Sequence, residues 1–263
     1  MFSKRSSLLL SLLFFTNTAS PAAPSPKPLT ALANPTPTPT LHPTWTPAAL
    51  DRIVDVNPYK PEYSKLASEA ASSDDIEALR NYLDAGVDVN AVVNGWPLLV
   101  TAAKKGRMRT LMLLLAMGAD IDAQNYSDES ALSIAADNGH LEVVKILLAN
   151  HAQVNTHESA LGLTALHQAV FENHSAIVHE LIKAGALLDL CYKDNETALH
   201  MAIPFKHTRI IKMLIAAGAK TDLKNDNGKT ALEFTSDPEL RILLEQWCQT
   251  QQVASRRTTK RTA

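Results

Sequence analysis

Short groups of apolar residues alternate with polar turns along the middle of the chain, and residues 130–155 show this pattern most regularly. Within them, apolar side chains recur at helical spacing from Ala131 to Ala136 and again from Leu141 to Leu148. The intervening Asn-Gly-His at residues 138–140 predicts a tight turn, because glycine tolerates the left-handed backbone that a helix reversal requires. Helices this short are unstable alone in water, so the segment predicts neighbours of the same kind.

These neighbours are visible as a repeat with a period of 33 or 34 residues. Its leucines are Leu99, Leu132, Leu166, Leu199 and Leu232. A pair of small residues follows three positions later in the interior repeats, as Ala102-Ala103, Ala135-Ala136, Ala169-Val170 and Ala202-Ile203. A fixed period in this range predicts a solenoid of helix-turn-helix units.

The repeated segments resemble the ankyrin-repeat family. TALHQAVFENH from Thr164, TALHMAI from Thr197 and GHLEVVKILL from Gly139 match the pattern of that family. The resemblance covers roughly residues 62 to 248 and implies an all-α solenoid of helix-turn-helix units with short β-turn fingers. It also implies that the histidines of the Thr-x-Leu-His box are structural, each tying the turn of one repeat to backbone groups of the next.

The segments outside the repeats predict a leader, a linker and a tail. Residues 1–22 combine a basic start with a short apolar run, which is typical of a secretory signal and too short to span a bilayer. Residues 23–46 are rich in proline, which predicts an extended linker. The ankyrin-repeat domain is predicted at 47–250, with about five repeats and a C-terminal cap, and residues 251–263 are predicted to form a basic disordered tail.

The first and last repeats are more polar than the interior ones, as expected where one face of a terminal repeat meets water. In the last repeat, Asp237 and Pro238 are predicted to begin the outer helix. Its side chains predicted to face inward are Leu240, Ile242, Leu243 and Trp247.

Charge and cysteine content limit the classes of partner and of chemistry. The formal net charge is −2, and it becomes −8 without the six basic residues near the two ends. The body of the repeat array is therefore acidic, and nucleic acid is not an expected partner. Cys191 and Cys248 lie about two repeats apart, so we expect no disulfide between them.

No sequence motif indicates catalysis. The chain has no GxSxG, P-loop, GxGxxG or HExxH pattern, and its histidines lack the paired spacing of metal ligands. We therefore expect no enzymatic activity, no cofactor and no metal. An enzyme remains an alternative that would need a concave pocket with convergent titratable groups.

The resemblance implies where a protein partner binds. In ankyrin proteins the variable contact positions are the two residues after the small pair and the residue before the threonine of the box, and the finger tips lie on the same surface. The partner-binding residues predicted in this way are Trp96, Lys104, Lys105, Tyr126, Leu163, Phe171, Tyr192 and Phe205. In the alternative interpretation, Trp96 and Phe205 fold back onto adjacent fingers and form no patch.

The sequence as a whole predicts a non-enzymatic protein–protein interaction module that is secreted or periplasmic. We expect a monomer that has one protein partner and no stable membrane insertion after signal cleavage. The combination of export with ankyrin repeats resembles bacterial members of the family. The alternative is a membrane-tethered structural scaffold that keeps an uncleaved N-terminal anchor.

Overall fold

Pairs of short helices make up the part of the protein that the computed structural model describes. The residues described are 61–158, 161–235, 237–238, 240–242 and 244–247. The predicted signal, the proline-rich linker, the basic tail and Cys248 lie outside these ranges, so the structure does not test them.

The helices alternate between an inner and an outer layer. The inner helices are α1 (Pro61–Ser73), α3 (Leu98–Lys104), α5 (Ala131–Asp137), α7 (Ala165–Phe171) and α9 (Ala198–Ala202). The outer helices are α2 (Ile76–Asp84), α4 (Met108–Ala116), α6 (Leu141–Ala149), α8 (Ser175–Lys183) and α10 (Thr208–Ala216). Each inner helix packs on the next inner helix, and each outer helix packs on the next outer one. The predicted solenoid of helix-turn-helix units is confirmed.

The fingers between repeats are short antiparallel hairpins. Strand β1 (Val92–Val93) pairs with β2 (Trp96–Pro97), and β3 (Cys191–Tyr192) pairs with β4 (Glu196–Thr197). Two other fingers contain one isolated bridge each, Gln124 with Ser130 and Lys224 with Thr230. The fingers project from the start of the inner helices, which places their tips beside one another along the stack.

The core follows the repeat period. Leu99, Leu132, Leu166 and Leu199 are at most 2% exposed, and the small pair of each interior repeat is almost completely buried. Small side chains allow neighbouring inner helices to approach closely, and the repeated leucine fills the space between them. The pattern of one leucine and one small pair per repeat therefore builds one continuous core.

A polar side chain immediately before an outer helix ties successive repeats together. The contacts are Arg107 Nε to the Ser72 carbonyl (2.8 Å), His140 Nε2 to the Lys104 carbonyl (3.1 Å) and His174 Nε2 to the Asp137 carbonyl (3.2 Å). Each carbonyl lies at or near the end of the inner helix of the preceding repeat, where carbonyl groups lack helical partners. These contacts give a role to two histidines, His140 and His174, to which the sequence alone assigned none.

A second series of contacts joins the fingers. The contacts are Asn90 Oδ1 with Asp120 N, Asp122 Oδ1 with Gln153 N, Asn155 Oδ1 with Leu187 N, and Asp189 Oδ1 with Lys220 N, all between 2.8 and 2.9 Å. In each pair a side-chain oxygen accepts a hydrogen bond from a backbone N–H one repeat later. Together with the contacts of Arg107, His140 and His174, this series connects neighbouring repeats at both ends of the inner helices.

We expect Gly139→Ala to destabilise the protein by about 2 kcal/mol, measured by urea unfolding. Gly139 has φ 77, and a Cβ there would lie 2.7 Å from Cε1 of His174. The alanine would adopt a disfavoured backbone conformation and would also displace the ring that contacts Asp137. Gly118→Ala is the matched control, since Gly118 has φ 87 but no atom within 4 Å of the added Cβ. Equal losses for both variants would contradict a role for the histidine contact.

One expectation for the last repeat is wrong. Ile242, predicted to face inward, is 55% exposed, whereas Leu240 and Leu244 are buried and Trp247 packs against the core. Leu240, Leu244 and Trp247 are four and then three residues apart, so they share one face of a helix, while Ile242 lies on the opposite side. Leu243 lies outside the described residues.

Candidate protein-binding surface

The first group of predicted contact residues joins two fingers and one inner helix. Trp96 lies in β2, and its ring meets that of Tyr126 from the next finger edge to face, with ring centroids 5.7 Å apart. Lys104, the last residue of α3, places its Nζ 3.8 Å from the centroid of the Trp96 ring. We call Trp96, Lys104 and Tyr126 the tryptophan cluster.

The finger itself holds Tyr126 in place. The backbone N–H of Tyr126 donates to the carbonyl of Gly95 at 2.9 Å. The preceding residue, Asn125, is buried, and its Oδ1 accepts hydrogen bonds from the N–H groups of Ser127 and Glu129. This turn leaves the Tyr126 side chain 71% exposed, while Trp96 is half-buried and packs against the core.

The second group lies two repeats further along the stack. The rings of Phe171 and Phe205 meet edge to face with centroids 5.4 Å apart, and His207 stacks on Phe205 at 5.6 Å. Phe205 is 47% exposed, whereas Phe171 is half-buried and packs against the core. Burial lowers the pKa of His207, although a backbone group of Phe171 acts in the opposite direction. We call Phe171, Phe205 and His207 the phenylalanine cluster.

Tyr192 and Leu163 are more buried than Tyr126 and Phe205 and are held by contacts within the fold. The hydroxyl of Tyr192 donates to Glu196 Oε2 at 2.7 Å, and its ring lies 5.2 Å from that of His167. Burial, followed by the hydrogen bond to Glu196, raises the pKa of Tyr192 far above its usual range. Leu163 is half-buried and packs against the core. These contacts give both residues a packing role whether or not they also meet a partner.

The structure bears on the alternative interpretation of Trp96 and Phe205. Trp96 does rest against the adjacent finger, through Tyr126, but Tyr126 itself remains largely exposed. Phe205 rests on Phe171 at the end of the preceding inner helix rather than on a finger. Lys105, the C-cap residue that follows α3, is exposed and directly follows Lys104 in the chain.

The box histidines are buried at the base of the fingers. Nδ1 of His167 lies 3.2 Å from the N–H and 2.9 Å from Oγ1 of Thr164, and His200 has the same arrangement with Thr197. Nε2 of His200 is 3.3 Å from the carbonyl of Lys229 in the next finger, as the resemblance implied. Burial lowers the pKa of His167 to about 4, against a smaller opposing effect of the Leu190 backbone.

Sequence reasoning assigned no role to one buried polar pair. Nε2 of Gln168 donates to Oε2 of Glu158 at 2.9 Å, and the two residues are 1% and 7% exposed. The pair connects an inner helix to the finger that precedes it. The longer loop around Glu158 is the one sequence signal that distinguishes this finger from its neighbours.

The same part of the chain also bears on metal, membrane and pocket sites. Among the described residues, no group of three or more His, Cys, Asp and Glu is arranged to hold a metal ion. None of the helices in that region has the length and apolar composition that crossing a bilayer requires. An open depression of about 480 Å³ is lined by Asp74, Asp75, Ile76, Glu77, Arg80 and Arg109.

Comparison with known proteins identifies the repeats. The family described as Ankyrin repeats matches in three overlapping copies, over residues 67–158, 128–189 and 166–236, which together cover more than half of the chain. Among curated proteins, the chain is similar to the probable E3 ubiquitin-protein ligase XBOS33 of Oryza sativa subsp. japonica (40% identical over 77 residues). It is also similar to the NF-kappa-B inhibitor cactus of Drosophila melanogaster (34% over 77 residues) and to the mitochondrial disaggregase of Bos taurus (33% over 125 residues).

These similarities are local. The matches cover 29%, 29% and 45% of this chain, and only 14%, 14% and 18% of the respective relatives. The chain therefore spans less than a fifth of the length of these proteins, and the ligase matches cover only the repeat region. The relatives come from plants, animals and a poxvirus, so they lend no support to the expectation of a bacterial-type member.

Proposed function

The chain belongs to the ankyrin-repeat family, whose repeats imply a protein–protein interaction module, and from this premise we propose that it is an exported, non-enzymatic protein that binds one protein partner. The binding surface is formed by the fingers and the ends of the inner helices. It contains the tryptophan cluster, the phenylalanine cluster and Lys105. Leu163 and Tyr192 contribute its half-buried base.

The exposed aromatic rings carry this proposal. Tyr126 and Phe205 are 71% and 47% exposed, and each is held against a half-buried aromatic ring, Trp96 or Phe171. Rings that are fixed by a neighbour lose little conformational freedom on binding, and aromatic side chains dominate the energy of many protein interfaces. A fixed ring that still faces water is therefore well suited to anchor a partner.

The cellular location is the second part of the proposal. Residues 1–22 have the composition of a secretory signal, which supports a secreted or periplasmic protein. The competing function is a membrane-tethered scaffold. N-terminal sequencing of the mature protein separates them, because an intact Met1 in the membrane fraction would favour the tether and a new N-terminus near residue 23 would favour export.

We expect Tyr126→Ala combined with Phe205→Ala to weaken partner capture by about 30-fold or more, as for two lost interface anchors. Cross-linking in the correct compartment followed by mass spectrometry identifies the captured partner, and titration with that partner measures the loss. Thermal unfolding should change little, since the edge-to-face contacts of these rings contribute only about 1 kcal/mol each.

Met112→Ala combined with Met108→Ala is the matched control. Both residues are exposed and apolar, at 57% and 44%, and both lie on the outer helix α4, away from the fingers and the inner helices. Retained capture by the Tyr126/Phe205 variant would refute the proposed surface. Trp96→Ala and Phe171→Ala are less clean, because both side chains also pack against the core.

A further inference from the structure

The charge around the tryptophan cluster differs from that of the rest of the repeat array. Residues 96–118 contain Lys104, Lys105, Arg107 and Arg109 and no aspartate or glutamate. The flanking segments are acidic, with Asp74, Asp75 and Glu77 on one side and Asp120, Asp122, Asp128 and Glu129 on the other. The second repeat is thus a basic segment within an array that is acidic as a whole.

Two of these four cations already have roles within the fold. Nε of Arg107 donates to the carbonyl of Ser72 at 2.8 Å, which joins the second repeat to the first. Arg109 lines the open depression together with acidic residues that include Asp74 and Asp75. Both of these side chains therefore lie against the first repeat.

Lys104 and Lys105 are in a different position. Both are exposed, and within the described residues neither forms an ion pair. Nζ of Lys104 instead lies 3.8 Å from the centroid of the Trp96 ring, a contact that places its charge beside the aromatic surface without neutralising it. An aromatic surface and two uncompensated ammonium groups thus occur side by side at the end of α3.

We propose that the occupant of the tryptophan cluster is an acidic segment of the partner protein, in which carboxylates flank an aromatic or large aliphatic side chain. The apolar side chain packs against Tyr126 and Trp96, and the carboxylates pair with Lys104 and Lys105. This inference rests on the proposed function and specifies the partner of the same surface. Complementary charge would also speed the encounter and exclude basic partners.

The geometry favours an acidic peptide over a nucleic acid. A nucleic acid presents a continuous row of phosphates, and the acidic residues on both sides of the second repeat would repel that row. Two adjacent lysines next to aromatic rings match a short cluster of carboxylates instead. Proteins with a nucleic-acid-binding groove extend their positive charge along the whole path of the strand.

Selection from a phage-displayed library of random 12-residue peptides on the full chain tests this inference. We expect the selected peptides to be enriched in Asp and Glu together with Tyr, Trp, Phe or Leu. Synthetic copies should lose about tenfold or more in affinity for Lys104→Glu/Lys105→Glu, and their binding should weaken as salt is raised. They should also shift the indole N–H resonance of Trp96, which reports on the cluster directly.

Lys65→Glu/Lys183→Glu is the matched control, because it makes the same change in net charge at two exposed lysines on other elements. Selected peptides without acidic enrichment, or with equal affinity for the Lys104/Lys105 variant and the wild-type chain, would overturn the inference. Tighter binding of a 12-nucleotide single-stranded DNA than of the acidic peptides would also overturn it. If Tyr126→Ala/Phe205→Ala still abolishes partner capture in those cases, the proposed function stands without its acidic partner.

Discussion

Replacing Leu132 by alanine is expected to lower the free energy of unfolding by about 2–5 kcal/mol. Leu132 is 1% exposed in the inner helix α5, which packs on the inner helices before and after it. The inner helices on both sides are held by their own packing, so they close the resulting cavity only in part. Urea unfolding followed by circular dichroism measures the loss.

The same substitution should also divide the array. Each repeat contacts only its neighbours, so a weakened central interface allows the two ends to unfold separately. We therefore expect the unfolding transition to broaden or to split. Leu187→Ala is the control, since this leucine is 55% exposed and its alanine variant should lose less than about 1 kcal/mol. Similar losses for the two variants would contradict the role of the leucine in the core.

Acid should destabilise the protein between about pH 6.5 and pH 4 through His167. In the folded chain burial lowers the pKa of His167 to about 4, whereas the unfolded value is near 6.5. The unfolded state therefore binds more protons in this interval, and stability is complete above pH 6.5 and falls as the pH drops towards 4. The two pKa values correspond to a loss of about 3 kcal/mol.

Comparison with His167→Gln isolates this contribution from that of the carboxylates. Glutamine also forms a capping box with Thr164 but does not titrate. The variant need not equal the wild-type chain in stability at pH 7, because the measured quantity is the change between pH 7 and pH 4 in urea unfolding. A pH dependence as steep in the variant as in the wild-type chain would show that His167 is not the group responsible.

The repeats could be predicted from the sequence because the same pattern of buried and turn residues occurs in each interior repeat. The buried leucines, the small pairs and the turn at Gly139 recur at fixed spacing, and the structure places them as that spacing predicts. The prediction failed where the pattern stops repeating. Ile242 was assigned to the inner face, and the helical spacing of Leu240, Leu244 and Trp247 places it in water instead.

The candidate surface was only partly predictable. The variable contact positions of ankyrin proteins identified Trp96, Lys104, Phe171 and Phe205 as separate residues. A sequence pattern does not show which of these residues contact one another. Trp96 belongs with Lys104 and with Tyr126 from the next finger, while Phe171 belongs with Phe205. The contacts of Trp96 with Tyr126 and of Phe171 with Phe205 join residues 30 and 34 positions apart, at a distance set by the stacking of one repeat on the next.

By itself, the sequence determined the period, the helix pairs and the buried positions, because local spacing decides which side chains share a face. The tertiary structure decided which polar groups connect the repeats, how deeply each aromatic ring is buried and which rings meet. Burial and partners depend on the neighbouring repeat, so Tyr126 and Tyr192, both at finger tips, differ in exposure and in bonding. The Tyr126 ring is largely exposed to water, and the Tyr192 hydroxyl is bonded to Glu196 within the fold.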